Sequence, residues 1–434
     1  MSTTTNMSRR SFAKLFAVGG SAALFADPAW AREMGATGAA GDLLPAGPAA
    51  GEPFWKSVRE QFVMPPELAV MNAANLCPAS RPVAEVLTRE SRSVDADPSP
   101  TNRSRLMPEK ESTRKALAEF LRVTPEEIII TRNTSESNNM VSNGLDLKAG
   151  DEVLLHEDNH PSNLTAWKEK ARRFGFSVVV VPQKNPHPGM EYYVDAFAKA
   201  ITPKTKVMAV THLSSTVGDL MPAKELAALA RSRGVLFLLD GAQSFGLLDV
   251  NLADIQPDFY SGSAHKWPCG ARECGVLYVN AAAQSRLWPS VYSAYPGAVG
   301  FSKTFESFGQ RDEATMIALH EALNFQTKIG RSAIEQRARE LTTQMMEGLA
   351  KLPGITNWTT PVADRRVAVV SFVPGTLDPN KLATALYTKD KIGITTRGGQ
   401  DRPGLRVSPH FYNSPAEVDR LLAALDKYLK SGLS

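Results

Sequence analysis

The sequence predicts an α/β fold: a large domain with a mainly parallel seven-stranded sheet, followed by a small C-terminal α/β domain. Seven short apolar runs lie between residues 128 and 279, each of strand length. Amphipathic helical stretches separate most of them, and strand alternating with helix is the pattern of a parallel sheet covered on both faces. Beyond residue 313 a long helical pattern leads into further alternation, which makes the small domain.

Taken in order, the chain begins with Ser8-Arg9-Arg10-Ser11-Phe12-Ala13-Lys14, an apolar run over residues 15–26, and Ala29-Trp30-Ala31. A charged start, a short apolar stretch and an A-x-A site define a secretory signal, and the paired arginines mark the twin-arginine type. The expectation is a signal peptide over residues 1–31, export by the twin-arginine machinery to the periplasm, and no membrane span in the mature protein. Residues 32–70 read as a flexible Gly/Ala/Pro-rich lead-in and an N-terminal segment with an amphipathic stretch over 54–66. Residues 68–75 read as a strand entering a small-residue loop. A helix over 108–121 is ended by Pro125.

The large domain, residues 71–312, then holds strands at 128–131, 152–156, 177–182, 206–211, 235–240, 259–263 and 275–279. Helices over 162–174 and 223–233 stop at Gly175 and Gly234. The last two strands, with one short segment between them, predict an antiparallel addition to the sheet. The small domain, residues 313–434, reads as a helix over 313–352, a strand at 367–372, a helix over 379–391, a strand at 405–408 and a closing helix over 415–429.

Lys and Arg exceed Asp and Glu by 49 to 45 among 434 residues, and no basic run marks the body of the chain, so nucleic acid is not an expected partner. The three cysteines, Cys77, Cys269 and Cys274, have no repeated metal-ligand spacing, so no metal is expected. Cys269 and Cys274 could pair in an oxidising compartment or stay as buried thiols.

Two segments organise the rest. Asp240 ends a fully apolar strand, so its carboxylate lies at the carboxyl edge of the sheet, where open α/β sheets bind ligands. Lys266 follows the next strand between Ser263 and His265, small donors suited to a phosphate. An acid, a lysine and phosphate donors suit pyridoxal phosphate (PLP), whose aldehyde a lysine amine bonds and whose ring nitrogen an acid keeps protonated. The pair alone is equally compatible with a salt bridge or with chance.

These segments resemble those of the class V aminotransferase family, fold-type I PLP enzymes that include cysteine desulfurases and isopenicillin N epimerases; the likeness runs from about residue 70 to the C-terminus and favours the epimerase-like branch. The resemblance implies roles residue by residue. Thr134 and Ser135, opening a helix after a strand, would donate to the phosphate, with Asn133 where many relatives have glycine. His160 would stack on the ring and could move a proton at the substrate α-carbon. Asp240 and Gln243 match a D-x-x-Q in which the acid pairs with the ring nitrogen and the amide reaches the ring oxygen. Ser263, His265 and Lys266 match S-x-H-K, with Lys266 bonded to the cofactor and, once freed, serving as base.

Gln310, in Gly309-Gln310-Arg311-Asp312, stands where the family's G-T-R-D reaches the phosphate of a neighbouring subunit, which implies a homodimer. Arg406, in R-x-S-x-x-x-Y-N, is the implied carboxylate clamp, a planar guanidinium able to bind a carboxylate in two parallel hydrogen bonds. The roles of Arg397 and Ser215 stay open. Residues 393–404 contain no cysteine, whereas desulfurases need a mobile one in this loop, so the chain is expected not to be a desulfurase. An export signal on this frame further resembles periplasmic members that mature siderophores, implying an amino-acid or peptidyl substrate such as the glutamyl side chain of a pyoverdine. An amino-acid epimerase, racemase or lyase, and a non-catalytic binding protein on the same fold, are the alternatives.

Overall fold

The large sheet runs in the spatial order β2-β8-β7-β6-β5-β3-β4. Its strands are β2 (Ile128–Thr131), β3 (Glu152–His156), β4 (Ser177–Val181), β5 (Thr205–Thr211), β6 (Leu236–Asp240), β7 (Phe259–Ser263) and β8 (Gly275–Val279). Preceding them is β1 (Ala69–Val70). All neighbours are parallel except β8, which pairs antiparallel with both β7 and β2. The computed structural model describes residues 47–292, 300–398 and 401–433. The expected signal peptide and most of the lead-in lie outside them.

Six of the seven apolar runs form strands covered on both faces, β2, β7 and β8 at every position, whereas β4 at the sheet edge is fully buried only at Val181. One face packs Ile129, Val153, Leu155, Val207, Leu238, Phe259 and Leu277 against Val141 and Trp167 from the helices Thr134–Gly144 and Pro161–Phe174. Gly175 takes a left-handed conformation (φ 80°) just past the second of these helices, as a C-terminal stop requires. At the β2 edge the buried Glu306 carboxylate accepts from both terminal nitrogens of Arg114 (2.6 and 2.8 Å) and from the Ile130 N–H (2.7 Å), with Lys110 Nζ 2.8 Å away.

The small domain contains the sheet β12-β13-β10-β9, formed by β9 (Ile355–Asn357), β10 (Val370–Pro374), β12 (Thr395–Arg397) and β13 (Gly404–Val407); β11 is Ile392–Gly393. Three expectations are corrected here. The helical pattern over 313–352 is two helices, Glu313–Ile329 and Arg331–Leu349, broken at Gly330, whose φ of 99° a helix cannot contain. The strand expected to open the 68–75 stretch is only the two residues of β1, which pairs in parallel with β11, so Ala69 and Met71 join the small-domain core with Val370, Leu405 and Leu421. The strand expected at 367–372 starts only at Val370, after Ala368 in a positive-φ conformation. Sequence reading also missed the helix Arg81–Ala96. Among the described residues no helix is long and apolar enough to cross a membrane.

Burial gives this core a pH dependence. His156 and His212 are buried, and burial lowers each imidazole to about 4 from the ordinary 6.5. A depressed folded-state value means that folding favours the neutral ring. That stability is complete above pH 6.5 and is lost as pH falls towards 4, at up to about 1.4 kcal/mol per pH unit for each ring. Urea unfolding should therefore show a lower midpoint at pH 5 than at pH 7.5, and an unchanged midpoint would contradict it.

Candidate active site

Asp240 closes β6 and is almost wholly buried. Its carboxylate accepts from Asn138 Nδ2 (2.8 Å), Asn163 Nδ2 (3.4 Å) and the Ala242 N–H (3.0 Å). Both amides are themselves oriented, since Ser261 Oγ donates to Asn138 Oδ1 (2.8 Å) and Trp167 Nε1 to Asn163 Oδ1 (3.0 Å). Gly241 follows because its backbone lies against the Tyr260 ring: a Cβ there would come within 2.1 Å of the ring carbon Cζ. Every donor to Asp240 is neutral. A buried carboxylate with no bonded cation is poised for a cationic partner, and a protonated pyridine nitrogen is one.

Lys266, three residues past the end of β7, is half-buried. Burial lowers its amine to about 8, with Asp240 opposing the shift and Arg406 adding to it. An amine at that value is substantially neutral near pH 8, as a nucleophile for an aldehyde must be. His265 beside it is lowered to about 4 by burial and by Lys266, so its ring is neutral and can donate a single N–H.

The helix Thr134–Gly144 begins at the phosphate turn. Asn133 caps it by accepting from the Glu136 N–H (3.0 Å), which is how asparagine serves where glycine was the family expectation. Thr134 and Ser263 are brought together: Ser263 Oγ accepts from the Thr134 N–H (2.8 Å) and lies 2.7 Å from its hydroxyl. Ser135 is exposed at the second helical position. A cavity of about 430 Å³ beside the turn is lined by Arg132, Asn133, Ser135 and Phe308 but not by Lys266 or Asp240.

His160 caps the helix Pro161–Phe174, its Nδ1 accepting from the Ser162 N–H (3.2 Å). The ring is exposed at the rim, and its pKa is lowered by the surrounding protein and then by Lys266. Gln243 is held by the protein at both ends: Nε2 donates to the Ala74 carbonyl (3.0 Å) and Oε1 accepts from Trp267 Nε1 (2.8 Å). One N–H of its amide remains for a ring oxygen. Gln310 is exposed, and its Oε1 accepts from Arg103 of the same chain (2.6 Å).

The small domain supplies Arg406 from β13. Its Nη1 donates to the Ser215 carbonyl (2.9 Å), which gives Ser215 a backbone role, while Nε is buried with no partner. Burial and then Arg397 lower this guanidinium to about 10. Arg397 on β12 donates from Nε to the Arg402 carbonyl (3.1 Å). All three cysteines are buried free thiols. Cys269 faces Cys77 and His410, one ligand atom of each lying within 4.8 Å of the others, an assembly that spacing could not reveal.

A lysine, a buried acid, a helix-opening turn and the Arg406 guanidinium thus meet at the carboxyl edge of the sheet, and this donor set fits PLP. A model of the family described as "Aminotransferase class-V" matches residues 81–421. The chain belongs to the class V aminotransferase family. Isopenicillin N epimerase of Amycolatopsis lactamdurans is 31% identical over 399 residues, covering 87% of this chain and 99% of the relative. The apo structure of a cysteine desulfurase from Thermococcus onnurineus NA1 matches with a TM-score of 0.78 at 25% identity, over 86% of this chain and 97% of that one. Likeness in fold alone extends, at 24% identity and a TM-score of 0.78, to a C-DES mutant with glycine covalently linked to its PLP cofactor; that match covers 85% of this chain and 98% of that one. The cofactor of this class V enzyme is PLP.

Sequence reasoning did not assign Asn138 or Asn163, though each is the last residue of a segment it had singled out, residues 131–138 and 157–163. The Lys266 chemistry gives a measurable consequence. The rate at which cofactor-free protein takes up PLP, followed by visible absorption, should rise with pH and level off above about 8. Asp240→Asn should move that midpoint lower, because Asp240 favours the charged amine; a midpoint near 10.5 would show that the amine is not perturbed.

Proposed function

We propose that the chain is an exported enzyme that acts at the α-carbon of an amino-acid or peptidyl amine, working as a homodimer, and that its substrate is the glutamyl side chain of a pyoverdine siderophore. The observation that carries the α-carbon reading is Lys266, lowered to about 8 and placed where it feels both Asp240 and the carboxylate-binding guanidinium of Arg406. When bound, PLP withdraws electrons from a bond at the substrate α-carbon. Asp240 holds the ring nitrogen protonated. Arg406 orients the substrate carboxylate and thereby the bond to be broken. Lys266 Nζ would move the proton at that carbon, and His160 would cover the ring from the rim.

Export rests on the Ser8–Lys14 segment with its apolar run and Ala29-Trp30-Ala31. The siderophore reading rests on export together with family membership. A cysteine desulfurase is disfavoured because no cysteine occurs over residues 393–404, while all three cysteines elsewhere are buried. The second reading, an epimerase in the same compartment, is favoured by the 31% identity to isopenicillin N epimerase. A binding protein without activity is disfavoured by the intact Lys266, Asp240 and Arg406.

Purified protein supplied with PLP should show a visible band that Lys266→Ala abolishes, and no band in the wild type would refute the enzyme reading. Replacing Arg9 and Arg10 together with lysine should retain the protein in the cytoplasm by fractionation, against normal export if the signal is misread. Mass spectrometry of siderophores from a deletion strain should show the glutamyl side chain unprocessed; a normal profile would remove the pyoverdine role.

A further inference from the structure

Asp158, two residues before His160 and given no role above, is buried and organises the segment that anchors Arg406. Its Oδ2 accepts from the hydroxyls of both Ser214 and Thr216, and its Oδ1 accepts from Arg402 Nη2 at 2.6 Å. Ser214 Oγ in turn accepts from the Thr216 N–H (3.1 Å) and the Val217 N–H (3.3 Å), so the 214–217 turn winds around the carboxylate.

Two carbonyls of that turn reach the small domain at one place. Ser215 O accepts from Arg406 Nη1 (2.9 Å), and Thr216 O accepts from Ser371 Oγ (2.5 Å). Ser371 lies directly opposite Arg406 in the β10–β13 register. The guanidinium is therefore held from the large domain on one side and through its strand neighbour on the other.

Charge points the same way. Arg397, Arg402 and Arg406 crowd this end of the small domain, and Arg397 already disfavours the charge on Arg406. The acids here are the buried Asp158, paired with Arg402, and the exposed Asp401. Taking away the Asp158 charge would leave Arg402 without its buried partner beside Arg397, the cation that bears on Arg406.

We infer that Asp158 is a positioning residue for the substrate carboxylate: it fixes the 214–216 turn so that the Ser215 carbonyl aims Arg406, and it neutralises Arg402 so that Arg406 is free to receive the substrate anion. This rests on the reading of Arg406 as the carboxylate clamp. Asp158 has no hydrogen bond or ion pair to Lys266 or Asp240 among the described residues, so it acts through Arg406 and not on the cofactor.

Two reagents that capture the carbonyl carbon of PLP without depending on the natural substrate provide the test. Aminooxyacetate carries a carboxylate and O-methylhydroxylamine does not, so the ratio of their rates with the PLP-loaded protein, read by visible absorption, isolates the clamp. Wild type should prefer aminooxyacetate, and Arg406→Gln should abolish the preference. Asp158→Asn should cut it about tenfold, the worth of one charge-assisted hydrogen bond, while the O-methylhydroxylamine rate stays within about twofold of wild type. Thr216→Val, which keeps the charge and removes one donor, should give a smaller loss of the same sign, and it stands in if Asp158→Asn does not fold. Equal rates for the two reagents in wild type would sink the clamp and this inference together. A wild-type preference that survives both substitutions, or a parallel slowing of both reagents, overturns this inference alone.

Discussion

Placing a carboxylate at the end of a buried strand, with only neutral N–H groups to meet it, is the constraint on which this molecule turns. Desolvating an unpaired anion costs several kcal/mol, and three hydrogen bonds from the Asn138 and Asn163 side chains and the Ala242 backbone offset part of that. Those donors come from two helices and a loop that meet only because β2, β3 and β6 belong to one sheet. The topology and the electrostatics of the site are therefore one problem. The remaining imbalance is what a cationic ring nitrogen relieves, so cofactor affinity and cofactor chemistry share a source.

The small domain answers a different need. It brings guanidinium groups to the rim on short antiparallel strands, where register decides which side chains face the large domain. Arg406 reaches across to a backbone carbonyl and keeps one nitrogen unpartnered. The division of labour is physical: the large domain supplies the buried acid and the lysine, and the small domain supplies the guanidinium groups.

Much of this was legible in the sequence, for reasons that differ by element. The seven strands were readable because each is a short apolar run, largely buried in all but the edge strand β4, and all seven end within one residue of expectation. Asp240 and Lys266 were readable because strand ends are where chemistry collects. The break at Gly330 was hidden because apolar spacing continues through it, and only backbone conformation ends the helix. Asn138, Asn163 and Asp158 were not assigned, because their roles depend on partners up to 244 positions away that no local pattern announces. Cofactor and fold were strongly encoded locally. The organisation of the clamp was encoded only in three dimensions.

The parallel pairing of β1 with β11 has a consequence for how the chain is made. Ala69 finds its strand partner at Ile392, more than three hundred residues later, and both contribute to the same apolar core. The β1 segment must wait, unpaired, until residues 392–393 have been synthesised. Contacts of such long range slow folding. Arg406 lies later still and cannot reach its Ser215 anchor before then, so this edge of the site is joined only after the large-domain sheet has been synthesised.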